Sequence, residues 1–522
     1  MTQVVVQKRI TSPLPQPKAF RRLAIAGVGF GGLVRSVQYL SNRSLWEDEV
    51  NLALNIVDRS YLELLQPLDY NQAAPPGFLF IEKFAIQVFG NSEYALRLFP
   101  FIAGLVSLFV FYKLATRYLS DRAAAIAIFL FASLPYLLYY ATELKQYSSD
   151  VVVALLLCWL LIPLGDRSLS WLEKLGLGGL GAVFIWISHP TIFVLAGIEL
   201  ANFLRAPHSR RRRMLGERSP MYALWLLSFA GLYFFTIVGT LENDILTGSW
   251  DDRYPNSFLD IVWLFDALGR FFYNPLGFQG RTDGIAIVAF LIGCVAVWRN
   301  NRQLLLIASA PVFVTLLAAY LESYPFRERL VLFLTPFFIL IVAEGISTLL
   351  AKPKSPKNIG FVLGVFMAVT LLGLPIFRAG SLVFQPTQIE EMKPVLAYIK
   401  AHQEPGDRLY VYAAGRNQFA YYAPRFGYEP DDYVMGSQTM VEGGGRDRAI
   451  SPRRLRQVRQ EIRQLRGNDR VWFLFARTSK EEERAFLSTM EPFAPALDTL
   501  EKPGAFTYLY RMKRNAPATS SP

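Results

Sequence analysis

The residues with the most obvious chemistry are crowded into one short stretch, Ser44-Leu-Trp46-Glu47-Asp48-Glu49. Three consecutive carboxylates repel one another, and an apolar surface beside them raises the pKa of at least one. A carboxylate tuned in this way can take a proton near neutral pH, which is what a general base does. The same run also reads as a solvated acidic patch that only helps to set topology, and composition alone does not separate the two. Downstream, Tyr70-Asn-Gln72-Ala-Ala-Pro75-Pro76-Gly77-Phe78 is polar chain ending in a Pro-Pro stop. The amphipathic segment Phe78 to Phe89 follows. It is too short to span a bilayer and carries Glu82 and Lys83, so it is expected to lie along the interface. Gly90-Asn-Ser-Glu93-Tyr94-Ala-Leu-Arg97-Leu-Phe-Pro100 then leads into an apolar block.

The elements that must position these residues are membrane spans. Of 522 residues, 52% are hydrophobic, 14% aromatic and only 18% charged, against roughly 25% charged in a soluble protein. Mean hydropathy is +0.26. So little charge cannot coat a soluble surface of this size. The composition excludes a soluble multidomain enzyme, a disordered scaffold and a disulfide-stapled secreted module. Cys158 and Cys294 both sit inside apolar blocks and offer no redox framework. The net charge of +12 would point to nucleic acid in a soluble protein. Here its distribution is that of a topology signal, and no nucleic-acid partner is expected.

A span needs about 20 mostly apolar residues. That ruler gives about eleven candidates, near 22–40, 95–116, 123–141, 147–164, 174–188, 190–204, 221–240, 284–298, 303–320, 327–350 and 359–378. The pair divided at His189-Pro190 also reads as one long broken span. Lys8, Arg9, Lys18, Arg21 and Arg22 precede the first span. Arg205, Arg210, Arg211, Arg212, Arg213 and Arg218 fill the 205–220 loop, and Lys352, Lys354 and Lys357 the 351–358 loop. All three groups fall on one side, which the positive-inside rule makes cytoplasmic. The opposite loops are acidic: residues 41–94 hold eight Asp or Glu and three Lys or Arg, and residues 241–283 hold seven and three. The chain is therefore expected in the plasma (inner) membrane as a multi-pass protein with a cytoplasmic N-terminus.

The expected organisation is a cytoplasmic segment over 1–21, a membrane domain over 22–384 with its outer loop at 41–94, a soluble domain over 385–514 and a disordered tail over 515–522. The fold class is thus an α-helical polytopic membrane protein with a C-terminal soluble α/β domain. Periodicity predicts helices at Glu390–Ala401 and Pro452–Leu465 in that domain, with buried strands near 408–414 and 471–475. An odd number of spans puts it outside, against the sign of its Arg-rich helix, because long folded domains translocate largely regardless of charge. No internal repeat is visible.

One motif reads as a decoy. Gly27-Val-Gly29-Phe-Gly31-Gly32 follows an apolar run and fits the G-x-G-x-x-G of a dinucleotide-binding turn. A soluble α/β pattern should then follow, but an acidic loop and further spans do. The expected reading is close helix packing.

Taken in order, the acidic pair after the first span, Gln72-Ala-Ala-Pro75-Pro76, the interfacial segment and Gly90-Asn-Ser-Glu93-Tyr-Ala-Leu-Arg97-Leu resemble the GT-C membrane glycosyltransferases. The match is to the family 39 type, which includes protein O-mannosyltransferases and bacterial aminoarabinose transferases. The resemblance is best over residues 40–150 and continues through Tyr324-Pro-Phe-Arg327-Glu-Arg329. It implies an outward-facing site that takes a sugar from a polyprenyl-phosphate carrier, with a lipid, glycan or protein as acceptor and membrane lipids as neighbours. It assigns the catalytic aspartate to Asp48, with Glu49 beside it. A lipid phosphate leaving group needs cationic stabilisation, which Arg97, Lys145, Arg327 and Arg329 at outer span ends offer, although such residues also snorkel to headgroups. Tyr147, in Glu143-Leu-Lys145-Gln-Tyr147, corresponds to a polar-Tyr motif near the family's cavity and reads equally as an aromatic-belt residue. His189 is either a phosphate or acceptor contact or a polar residue satisfied at a helix break.

The sequence departs from the aminoarabinose-transferase pattern where Ala73-Ala74 stand in place of a Lys before the Pro-Pro pair. No Cys/His cluster suggests zinc. Asp48 and Glu49 suit Mg²⁺ or Mn²⁺, but many relatives need no metal, and no cofactor is expected. The rival readings are a polytopic transporter or lipid flippase, a GT-C ligase or polymerase with a diphosphate-linked donor, and an assembly protein whose loops only bind partners.

Overall fold

The computed structural model describes residues 18–243, 248, 253–351, 359–443, 449–493 and 495–512. Most of the 1–21 segment, Lys352, Lys354, Lys357, Trp250-Asp251-Asp252 and the 515–522 tail lie outside the described residues. The chain forms two compact units: Met1–Ser41 with Arg59–Pro386, and Asn42–Asp58 with Thr387–Pro522. The second boundary falls where the apolar blocks end. Residues 42–58, grouped by sequence order with the membrane domain, cluster with the C-terminal unit instead.

The first ten helices are α1 (Lys18–Leu40), α2 (Glu47–Asp58), α3 (Pro76–Phe89), α4 (Glu93–Tyr118), α5 (Asp121–Ser133), α6 (Pro135–Tyr139), α7 (Tyr147–Leu161), α8 (Trp171–Ile187), α9 (Thr191–Arg205) and α10 (His208–Leu232). All but α2 belong to the first unit. That unit continues with Ile261–Tyr273, Thr282–Asn300, Arg302–Tyr320, Thr335–Leu349 and Ile359–Ser381. Every one of the eleven apolar blocks is helical. Among the described residues, eight helices are long and apolar enough to cross a membrane, and α5 with Pro135–Thr142, bent by 60°, is either a ninth broken span or a re-entrant loop. Two of the eleven expected blocks fall short of that length. The blocks at 174–188 and 190–204 are α8 and α9, only 17 and 15 residues long, and they are separated at His189-Pro190.

Local chemistry explains the breaks. Pro135 cannot continue α5, and it frees carbonyls at the bend. Arg35 of α1, 1% exposed, donates to the oxygens of Ala132 and Phe131, both at 3.3 Å, and of Leu137 at 3.4 Å. A buried guanidinium in a span is tolerated because it satisfies those carbonyls. The Gly27–Gly32 motif lies inside the continuous α1 and forms no strand–turn–helix. A Cβ on Gly31 would come within 2.8 Å of Ala132, and one on Gly27 within 3.0 Å of Ile128, so both glycines serve the α1–α5 contact. Gly293 and Gly345 do the same between Thr282–Asn300 and Thr335–Leu349, where an added Cβ would lie 2.0 Å from the oxygens of Ile341 and Ala289.

The second unit is built on a five-stranded mixed sheet in the order β2-β1-β5-β7-β6. Its strands are β1 (Arg408–Val411), β2 (Tyr433–Met435), β5 (Val471–Ala476), β6 (Asp498–Lys502) and β7 (Ala505–Tyr510). Strands β3 (Val441–Glu442) and β4 (Ala449–Ile450) form a separate pair. β1 runs parallel to β2 and β5, and β7 runs antiparallel to β5 and β6. The fully buried run Val471–Ala476 marks β5 as the centre, as its unbroken apolar sequence requires. Helices Met392–His402 and Pro452–Gln464 fall within a few residues of the expected ranges. The expected class, a helical polytopic protein with a C-terminal α/β domain, is borne out.

Candidate catalytic and anion-binding residues

In the second unit, Glu47, Asp48 and Glu49 form the first turn of α2. Negative charge is stabilised there by the helix dipole, which gives the run a structural reason as well as a chemical one. The chain entering α2 is pinned from several directions. Ser44 Oγ donates to Glu391 at 2.9 Å, and the Leu45 N–H donates to the Tyr422 hydroxyl at 2.7 Å. The Glu47 N–H donates to Glu390 at 2.9 Å, and Asn417 donates to Asn51 at 2.8 Å. Arg477 pairs with Glu47 at 3.0 Å.

Asp48 is half-buried and Glu49 buried. The raised carboxylate expected in this cluster is Glu47. Burial pushes it up, Arg477 and Asn51 pull it back, and the Asp48 charge adds the smallest upward push. Glu390 is raised in the same way, chiefly by burial. Desolvation therefore does more here than mutual repulsion.

In the first unit, Lys145, Tyr147 and Arg329 come together. Lys145 Nζ donates to Gln72 Oε1 at 2.6 Å, and Gln146 donates to the Ala73 oxygen at 3.4 Å. The turn before α7 thus grips the Gln72–Pro76 segment and brings a buried cation to the place where the missing Lys was noted. The Arg329 guanidinium lies 5.7 Å from the Tyr147 ring centre. Glu143 is buried and accepts from Tyr139 at 3.0 Å. Arg97 is 2% exposed on α4, well away from the headgroup exposure of a snorkelling residue. His189 occupies the α8–α9 break, where its Nε2 is buried and has no hydrogen-bond partner.

Arg327 lies elsewhere, in a cavity of about 360 Å³ lined by residues that include Arg253, Arg270, Tyr273, Asn274 and Glu328. Its Nη2 meets Asp266 at 2.5 Å, and Arg270 Nε meets both Asp266 oxygens at 2.7 and 2.9 Å. Burial works to raise Asp266, but the hydrogen bonds and charges of Arg270 and Arg327 outweigh it and hold the carboxyl below its ordinary range. Arg253 pairs with Glu328 at 3.0 Å. Arg327 Nη1 and Asn274 Oδ1 are buried without a partner. Three guanidiniums thus line one open volume, each already paired with a carboxylate. Sequence reasoning named only Arg327 of the three. Arg253 and Arg270 lie in the acidic 241–283 stretch, where nothing in the sequence singles out a cation. Among the described residues, no three His, Cys, Asp or Glu side chains gather as a metal site requires.

Residues 73–237 match the family model for dolichyl-phosphate-mannose-protein mannosyltransferases, a range that takes in Pro75-Pro76 and the Gly90–Leu98 motif but not the acidic run or Arg327. No curated protein matches the chain in sequence. Among solved structures, the chain is similar to ArnT from Cupriavidus metallidurans in the apo state, with 12% identity, TM-score 0.48, and 94% of this chain and 97% of that chain covered. It is similar to the same protein bound to undecaprenyl phosphate, with 11% identity, TM-score 0.47 and coverages of 97% and 100%. The archaeal oligosaccharyltransferase AglB from Archaeoglobus fulgidus, in complex with an inhibitory peptide and a dolichol-phosphate, is similar at 10% identity, TM-score 0.45 and coverages of 94% and 74%. The family match covers helices α3 to α9 and runs into the span that starts at His208, all in the multi-pass membrane unit.

Proposed function

We propose that this chain transfers a sugar from a polyprenyl-phosphate donor to a lipid, glycan or protein acceptor on the extracytoplasmic face of the plasma membrane. The observation that carries this reading is the family match over residues 73–237. It begins one residue after Gln72, whose side chain Lys145 holds. In this reading the N-terminus is cytoplasmic and the C-terminal unit lies outside.

Asp48 is the general base. It takes the proton of the acceptor hydroxyl as that oxygen forms its bond to the anomeric carbon with inversion. The bond from the anomeric carbon to the phosphate oxygen breaks, and the lipid phosphate leaves with the electron pair. Cations stabilise the charge that develops on it. Arg327, with Arg253 and Arg270, provides a converging set. Lys145, Arg329, Tyr147, Arg97 and His189 are assigned to donor or acceptor binding, and Glu49 supports Asp48. No metal is assigned a role.

The test is mass spectrometry of envelope glycans and polyprenyl lipids in cells lacking the gene, complemented with wild type or Asp48→Asn. The deletion should lose a sugar and accumulate a lipid-linked sugar. Asp48→Asn should behave like the deletion at wild-type protein levels. Wild-type glycans in the Asp48→Asn strain would remove the base assignment. An unchanged glycan and lipid profile in the deletion would remove the whole reading and favour a transporter or scaffold.

A further inference from the structure

A second cavity in the first unit, of about 430 Å³, has a different character. It lies between α1, α5 and the helices Thr335–Leu349 and Ile359–Ser381. Its walls are Leu23, Ala125, Ile126, Phe129, Leu350, Phe361, Ala368, Leu372 and Ile376, with Phe20 and Arg122 completing the lining. We propose that this groove binds one anionic glycerophospholipid, with an acyl chain along the apolar wall and the headgroup phosphate at Arg122.

The groove is polar at one end only. Arg122 is its one charged lining residue, and it sits in the first turn of α5. Phe20 is in the first turn of α1, Leu350 follows the end of Thr335–Leu349, and Phe361 opens Ile359–Ser381. All four elements meet at that end. The remaining walls run away from it: Ala125, Ile126 and Phe129 along α5, and Ala368, Leu372 and Ile376 along the last helix. Positions 361 and 376 are about 22 Å apart at 1.5 Å per residue. One leaflet of hydrocarbon is about 15 Å deep. A single-ended groove of that length fits an amphiphile with one polar head.

The head must be anionic. The Arg122 guanidinium lies 5.5 Å from the Phe20 ring and donates to the Leu350 oxygen. These contacts aim the side chain across the groove mouth and leave it further N–H donors, since a guanidinium has five. Lys18, Arg21 and Arg22 are exposed on the first turns of α1 at the same end. An apolar wall with a cationic rim recognises a phosphate-bearing lipid over a zwitterionic one by charge. A transmembrane helix of a partner protein would also cover the walls, but it would gain nothing from a rim of four cations.

The test places the full-length protein in nanodiscs of phosphatidylglycerol and phosphatidylcholine with matched acyl chains, followed by native mass spectrometry. One phosphatidylglycerol should be retained at least about tenfold more often than phosphatidylcholine, a difference of about 1.4 kcal/mol. Ala368→Trp should abolish retention by filling the groove. Arg122→Gln, and separately the triple change Lys18→Gln, Arg21→Gln and Arg22→Gln, should remove the preference for phosphatidylglycerol. Equal retention of the two lipids by the wild type, or retention unchanged in Ala368→Trp, would overturn the proposal, as would a copurifying polypeptide in place of lipid. None of these readouts depends on the transferase reading.

Discussion

Arg327→Gln probes the arginine cavity most directly. Arg327 gives Nη2 to Asp266 at 2.5 Å and holds Nη1 buried with no protein partner. In the proposed reaction that N–H donates to the lipid phosphate. A hydrogen bond to a charged group contributes about 1.5–3 kcal/mol. At 1.4 kcal/mol per tenfold, its loss weakens binding roughly 12- to 140-fold. The fold should survive, because Arg270 still holds both oxygens of Asp266. The assay is the Kd of undecaprenyl phosphate for the detergent-solubilised chain, measured with thermal unfolding as a control. Arg327→Lys should fall between wild type and Gln, since lysine restores the charge but not the planar fork. A Kd within twofold of wild type for Arg327→Gln, at equal stability, refutes the assignment of this cavity to the phosphate.

Two further outcomes follow from the geometry. Lys145→Met removes the donor to Gln72 Oε1 and should lower complementation of the deletion strain by about tenfold or more, the cost of one charge-assisted hydrogen bond. Wild-type complementation would show that the grip on the Gln72–Pro76 segment is dispensable. Glu47 has a pKa raised above the ordinary carboxylate range, chiefly by burial. The folded state then binds its proton more tightly than the unfolded state. The stability contribution is present below the ordinary pKa of about 4.5 and is lost as pH rises through the folded value. Glu47→Gln should flatten the melting temperature of the chain between about pH 4 and pH 7. A residual slope from Glu390, raised in the same direction, should remain. An unchanged slope counts against a buried, protonatable Glu47.

The spans were legible because hydrocarbon demands long apolar runs and leaves them in the sequence. Their number was less so. Chain length does not tell two short crossings from one long span broken at His189-Pro190, and α8 and α9 carry that ambiguity. The sheet was legible at β1 and β5, where the apolar run is unbroken, and silent at β6, whose side chains are mostly exposed. The acidic run and the Gln72–Pro76 segment stood out by composition. Their surroundings did not. Nothing local marks residues 42–58 as part of the C-terminal unit, since their partners Glu390, Glu391, Asn417 and Tyr422 lie more than 300 positions away in the chain. Arg253 and Arg270 were passed over for a similar reason, because a cation in an acidic loop acquires meaning only once the fold aims it at Arg327.

The bend between α5 and α6 has a consequence for how the chain is made. Arg35 reaches carbonyls that follow it by 96 to 102 positions. At 5–20 residues per second, a ribosome takes roughly 5 to 20 s to supply them. An arginine within a lone span costs about 2.5–3.5 kcal/mol or more, so throughout that interval the first helix is held in the bilayer on credit. Helix α1 is made well before the carbonyls that let it come to rest.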